Sequence, residues 1–231
     1  MNIMAIDTST TVLGVGLAND EKIIGEYVTN IKKTHSTRVL PAIDYLLKDC
    51  GISLKDIDKI VVANGPGSYT GLRIGVTIGK TLAWTLNLPV AGVSSLMAIA
   101  SGGHYFSGFI SPVIDARRGN IFTGLYKYEN DTLRPILQDR HIHAGEWANL
   151  LKTYEKPVLF IGGDAKLHEQ TFKERLHEQA CFAPETVNLP RPGILARIGK
   201  DIEGENVHQF APEYLRLTEA EAKWREKTGN H

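Results

Sequence analysis

The sequence predicts an α/β protein of two stacked lobes, each built on a β-β-β-α-β-α plan. Three observations point there. Each half opens on three short apolar runs that read as strands, and helical periods then alternate with single strands. A Gly-rich stretch, SGGHYFSG at 101–108, separates the halves. The repeat is one of element order, with no repeat of letters. On this basis residues 1–105 form an N-terminal lobe and residues 106–231 a C-terminal lobe with a flexible tail.

The strands of the first half are NIMAID, VLGVGLAN and IIGEYVTN, joined by tight polar turns. From Thr34 the period changes: Val39, Ile43, Leu46 and Leu47 recur at helical spacing, and Cys50-Gly51 marks the stop, giving a helix over 34–49. KIVVANGP is a buried strand that ends in a Gly/Pro turn. Residues 69–87 contain no proline and read as a long helix; LPVAGV is the next strand, and a further helix starts at Ser94 or Ser95. In the second half, FISPVIDA, NIFTGLYKY and LRPILQDRHIH are strand-like, with a turn at Arg117–Asn120 between the first two. AGEWANLLKTYE reads as a helix, PVLFIGG as a strand and DAKLHEQTFKERLHE as a helix. The tail from Phe210 starts at a proline and carries a charged helical stretch expected to fray.

With 231 residues the chain can bury a sizeable core, and its 42% hydrophobic and 23% charged content is that of a globular protein. Lys+Arg and Asp+Glu both total 26, which argues against an autonomous RNA or membrane-surface binder. Lys32, Lys33, His35 and Arg38 make a local basic patch that reads as a solvated face. Two distant cysteines, Cys50 and Cys181, exclude a disulfide framework and fit a reducing compartment. The N-terminus lacks a basic and a long apolar region, and no apolar run nears the roughly 18–20 residues of a membrane span. The expected location is the cytoplasm, without a membrane or DNA partner.

ANGPGSYTGLRIGVTIGKT, residues 63–81, imitates a phosphate loop and fails each template. Only three residues separate Gly75 from Gly79 ahead of Lys80-Thr81, and these lie inside the expected helix rather than in a loop. GPGSYTG is not GxGxxG, and Ser68 directly after Gly67 is no nucleophile elbow. What the spacing does give is a ridge. Gly71, Gly75, Gly79 and Ala83 stand four apart and leave one helix face nearly free of side chains. Three glycines inside a helix cost about 1 kcal/mol each relative to alanine, so something must come close there. It is either the protein's own sheet or first helix, or a helix of another subunit.

Asp7 and Asp115 each end a strand that opens a half, as paired carboxylates would in an actin-fold kinase or ATPase holding Mg-ATP. Each could equally accept backbone N–H bonds in its own turn. Gly162-Gly163 follows a strand in a shape that admits a nucleotide base. His141 and His143 share a strand face without a third ligand, and His168 and His177 do not share a helix face, so the histidines specify no metal centre.

At this point MNIMAIDTSTTVLGVGL, KIVVANGPGSYTGLRIGVTIGKTLAWTLNLPVAGVSSLMAIA and PVIDARRGNIFTGLY resemble the TsaB (YeaZ) family, which takes part in making N6-threonylcarbamoyladenosine (t6A) on tRNA. The resemblance covers most of residues 1–125 and, more weakly, PEYLR at 212–216; GPGS-x-TGLRIG is its specific signature. It implies the actin-like ATPase (ASKHA) fold, two β-β-β-α-β-α lobes, in agreement with the element order. In the catalytic relative TsaD a similar Gly-rich helix is followed by a His-x-x-x-His metal pair. Here Ser95 and Ile99 fall at those positions, and neither can replace an imidazole ligand. The family therefore implies a non-catalytic scaffold, with no metal, that binds and activates TsaD as a heterodimer and helps recruit the ATPase TsaE.

No cofactor of its own is expected, and ATP or ADP only at an interface of the complex. Asp7, Asp115, Gly162 and Gly163 match nucleotide positions of the fold, but DTSTTVLG and DARRG depart from its phosphate loops and Arg117-Arg118 add bulk. The resemblance places the TsaD interface on the helices at 34–49 and 69–87, with His35, Arg38, Tyr69, Gly71, Arg73, Ile74, Gly75, Ile78 and Gly79 as its residues. It favours a partner surface as the use of the glycine ridge. A homodimer through the same surface is expected when the partner is missing, and tRNA contact only indirectly, through the complex. A small kinase using Asp7 and Asp115, and a peptidase, are the competing readings.

Overall fold

The computed structural model describes residues 1–216. Ile3–Asp7 (β1), Val12–Ala18 (β2) and Ile23–Asn30 (β3) form an antiparallel meander. Val39–Asp49 (α1), Lys59–Gly65 (β4), Tyr69–Leu86 (α2), Val90–Ser94 (β5) and Ser95–Ala100 (α3) follow. β4 pairs parallel with β1 and β5 parallel with β4, connections that require the crossover helices α1 and α2. The sheet order is β3-β2-β1-β4-β5.

The second half repeats the plan with Phe109–Asp115 (β6), Asn120–Glu129 (β7), Thr132–His143 (β8), Ala144–Lys152 (α4), Val158–Ile161 (β9), Glu169–Leu176 (α5) and Ala180–Phe182 (β10). Its order, β10-β9-β6-β7-β8, is the same permutation, with β6 standing where β1 stands. β6 and β9 pair in parallel, as do β9 and β10. Two sheets with one permutation make this the actin-like two-lobed α/β fold.

Alternation along β1 divides the first lobe's core. Met4 and Ile6 face the cluster under α1 and α2, and Ile3 and Ala5 face the opposite side. A short helix from the end of the chain, Pro192–Ile198 (α6), covers that opposite side with Leu195 and Ala196. Gly16 on β2 lets it settle, since a Cβ there would meet the Pro192 backbone carbon at 2.4 Å. In the second lobe, Trp147, Phe160 and Phe172 are fully buried, and the latter two rings stack with centroids 3.8 Å apart.

Three differences from expectation have local causes. The first helix begins at Val39 because Pro41 fits only a first turn; His35–Thr37 forms a separate 3-10 turn. The helical run after Gly163 is a 3-10 turn, Ala165–His168, leading into α5. β10 and α6, three and seven residues long, carry too little periodicity to be read.

The division at 105/106 also meets a spatial fact: residues 192–210 lie on the first lobe. Lys59 Nζ donates to the carbonyls of Lys200 and Ile202, Lys80 Nζ to those of His208 (2.8 Å) and Phe210 (3.1 Å), and Phe210 is buried with the α1/α2 core. The lysine of the mimicked phosphate loop is thus a tether for the returning chain. The charged stretch expected to fray, from residue 217 on, lies outside the described residues.

Candidate functional site

The glycine ridge is the first candidate. Ser68 caps α2, its Oγ accepting the Gly71 N–H at 3.3 Å. The helix then lies on β1 and β4 so closely that Cβ atoms at Gly75 and Gly79 would stand 2.4 Å from Thr8 Oγ1 and 2.4 Å from Val62 Cγ2. Thr8 Oγ1 donates to the Gly71 carbonyl at 2.7 Å. Gly71, Gly75, Gly79 and Ala83 are all buried. The ridge is therefore internal packing against the protein's own sheet, which corrects the expectation that it meets another subunit. The stripe of small residues alone could not tell the two uses apart, because both require close approach.

The opposite face of α2 is open. Tyr69, Arg73, Thr77, Thr81 and Trp84 are exposed, Trp84 to 65%. Arg73 Nη1 donates to Tyr69 Oη at 3.0 Å, and the Tyr69 ring stacks on Tyr214 with centroids 4.9 Å apart. Ile74 and Ile78 are half-buried and pack on the core edge. On α1, Leu40 and Tyr45 are exposed. His35 and Arg38 are half-buried and turned to their own lobe, His35 Nε2 donating to the Thr10 carbonyl at 2.8 Å and Arg38 Nη2 to Thr29 Oγ1.

The second candidate is the cleft between the lobes, about 1180 Å³, lined by the β1–β2 and β6–β7 turns, the α2 N-terminus and the segments at 188–190 and 213–216. Asp7 is buried at the end of β1, and its Oδ1 accepts both Ser9 N–H (2.9 Å) and Ser9 Oγ–H (2.7 Å). Burial pushes its carboxyl above the ordinary range, while the Ser9 bonds pull it back. Asp115 Oδ1 is 3.0 Å from His168 Nε2, its Oδ2 accepts the Arg117 N–H at 3.2 Å, and its own N–H donates to Asp164 Oδ2 at 3.0 Å. His168 and Asp164 were not singled out from the sequence for this role. The signal, a histidine one turn beyond a strand-end Gly-Gly-Asp, has meaning only once β6 and β9 are known to be neighbours.

Gly162 is buried and its N–H donates to Asn188 Oδ1 at 3.0 Å, whereas Gly163 faces open space. Arg117 and Arg118 both take left-handed backbone, φ 66° and 55°, ahead of Gly119, and crowd the second turn. The strand-end carboxylates therefore do not form the open pair a Mg-nucleotide requires: one is buried and closed by Ser9, the other engaged by His168 and its turn. Ser95 is fully buried with its Oγ unbonded among the described residues, and Ile99 lies in the core with Leu96, Ile110 and Ile161. No three His, Cys, Asp or Glu among the described residues stand close enough to hold a metal.

Comparison with known proteins places this geometry. The family model described as TsaD, tRNA N6-adenosine threonylcarbamoyltransferase, matches residues 22–224. The chain is 48% identical over 224 residues to the tRNA threonylcarbamoyladenosine biosynthesis protein TsaB of Bacillus subtilis (strain 168), covering 97% of this chain and 98% of that one. To TsaB of Escherichia coli (strain K12) it is 33% identical over 164 residues, 65% of this chain and 71% of that one. A crystal structure from Pseudomonas aeruginosa, of an uncharacterized protein with similarity to peptidase YEAZ, superposes with a TM-score of 0.80 at 26% identity. That match covers 93% of this chain and 99% of the other. By identity, coverage and fold together, the chain belongs to the TsaB (YeaZ) family.

Proposed function

We propose that the outer face of α1 and α2 seats the TsaD partner, leaving the chemistry to that partner. As a TsaB-family protein the chain is a non-catalytic scaffold in t6A modification of tRNA and partners TsaD. The observation that supports the placement is the outward row of Leu40, Tyr45, Tyr69, Arg73 and Trp84 on two helices whose other faces are anchored in the core. Single exposed apolar side chains are ordinary, but several large ones on one face mark an interaction surface. Ile74 and Ile78 flank the row, and His35 and Arg38 brace its edge. The glycines contribute by setting how deep α2 lies, not by touching the partner.

On this reading residues 1–105 carry the partner face, TsaE joins the assembled pair, and ATP or ADP binds only where subunits meet. A second copy of the chain occupies the same face when TsaD is absent. The unpaired Cys50 and Cys181 fit a cytoplasmic setting. The test is co-purification with a TsaD-type protein, followed by assay of tRNA modification with and without this chain. Co-elution with chain-dependent modification is expected; separate elution would overturn the proposal.

A further inference from the structure

We infer that the rim of the interlobe cleft is a contact strip for the phosphate backbone of RNA. The choice of RNA rests on the tRNA-modifying role above, whereas the strip itself rests on where the charges stand. Lys32 and Lys33 leave β3 on the first lobe, and Arg117 tips the β6–β7 hairpin on the second. All three are exposed, all three line the same cleft, and none pairs with a carboxylate among the described residues. Arg216 joins them, its Nη1 donating to the Ala116 carbonyl at 3.1 Å.

In a chain with 26 basic and 26 acidic side chains, three unpaired cations from opposite lobes meeting at one mouth are a local excess. The acids of the cleft do not cancel it evenly. Asp115 and Asp164 are half-buried and hydrogen-bonded within the turn, and Glu213 is the exposed exception. The charge sits on loop tips, Lys32 and Lys33 between β3 and α1 and Arg117 between β6 and β7. A small phosphate ligand needs donors that converge inside a pocket. A phosphodiester backbone is held instead by exposed cations on the surface, and Lys32, Lys33 and Arg117 are exposed cations of one cleft.

The experiment is fluorescence anisotropy of labelled tRNA against this chain alone and against its pair with TsaD, between 50 and 200 mM KCl. The variant combines Lys32→Gln and Lys33→Gln with Arg117→Asn, asparagine being tolerant of the left-handed backbone at that position. Each lost phosphate contact lowers the slope of log K against log salt by about 0.7–0.9, so the triple variant is expected to lose about 2–3 in slope. A matched control, Lys48→Gln, Lys166→Gln and Lys173→Gln, removes three cations away from the cleft and is expected to leave the slope unchanged.

An unchanged slope in the rim variant overturns the inference, and so does an equal fall in the control. Weaker co-elution with TsaD at an unchanged tRNA slope also overturns it, because the rim would then be a protein contact. If the wild-type chain does not pair with TsaD, the titration of the chain alone still decides the matter. Thermal unfolding of both variants confirms that they are folded.

Discussion

A Cβ on Gly75 would stand 2.4 Å from Thr8 Oγ1, so α2 reaches its depth on the sheet only because that Cβ is missing. Thr8 cannot retreat freely, since it is fully buried and its hydroxyl holds the Gly71 carbonyl. Gly75→Leu is accordingly expected to damage the first lobe rather than to block a partner selectively. Overpacking costs roughly 1–3 kcal/mol and exceeds the gain of about 1 kcal/mol from replacing a helical glycine. Urea unfolding measures this; a variant with the wild-type midpoint would show that the ridge does not touch the sheet tightly.

Lys80 gives a second prediction, because the loop it imitates and the tether it forms have different consequences. Its ammonium holds the His208 and Phe210 carbonyls, and hydrogen bonds to charged groups contribute about 1.5–3 kcal/mol when well shielded. Lys80→Ala is expected to lower stability by about 1 kcal/mol, the exposed geometry discounting the rest. Hydrogen exchange of the amides at 206–210 should accelerate while the centre of α2 stays protected. If the variant instead left exchange unchanged and abolished nucleotide binding, the tether assignment would fail.

Much of the fold was legible because strand and helix periods are local properties. β1 to β5 and β6 to β9, with α1, α2 and α4, follow apolar spacing alone. α6 was not, since seven residues beginning Pro-Gly gain their helix from packing on β2 and β1 rather than from their own pattern. The site was legible to a different degree. Spacing identified the ridge at Gly71, Gly75 and Gly79 but not which side of α2 would be inside, and only the position of Thr8 answers that. Asp7 and Asp115 were found as strand ends, yet their partners Ser9 and His168 depend on turn geometry and on a strand pairing 49 to 53 residues distant in sequence.

The pH dependence of stability has a sign fixed by Asp139. Ser94 Oγ and Tyr126 Oη both donate to its carboxylate, linking the end of β5 to the second lobe. Burial raises its pKa above the ordinary range, the two hydroxyl bonds opposing that shift; burial beside this carboxylate likewise pushes the Tyr126 phenol up. A carboxyl with a raised folded pKa binds its proton more tightly folded than unfolded. Its contribution is therefore greatest below about pH 4 and is lost as pH rises through the folded value. The stability difference between wild type and Asp139→Asn should shrink from pH 4 to pH 7. Asp20 has the opposite sign: Lys200 and the N-terminal amine lower it to about 2, so its contribution is lost on acidification toward pH 2 and is weakened by salt. A gap at Asp139 that widened with pH would show that the hydroxyl bonds, not burial, dominate.

The partner face makes the last prediction. Leu40 on α1 and Arg73 on α2 are exposed, so Leu40→Glu and Arg73→Glu should each change folding stability by no more than about 0.5 kcal/mol. Carboxylates placed at an apolar interface must be desolvated without a partner, which costs binding far more than folding. Each variant is expected to weaken association with TsaD about tenfold or more, equivalent to about 1.4 kcal/mol. Trp84→Ala removes the largest exposed aromatic ring of α2 and should weaken it further, about 30-fold if the ring is a central anchor. Lys166→Ala on the second lobe, whose ion pair with Glu185 is exposed, should leave association unchanged. Isothermal titration of each purified variant with TsaD separates binding from folding, because the unfolding midpoint is measured on the same sample. If Leu40→Glu, Arg73→Glu and Trp84→Ala all bind as wild type does, TsaD sits on another surface.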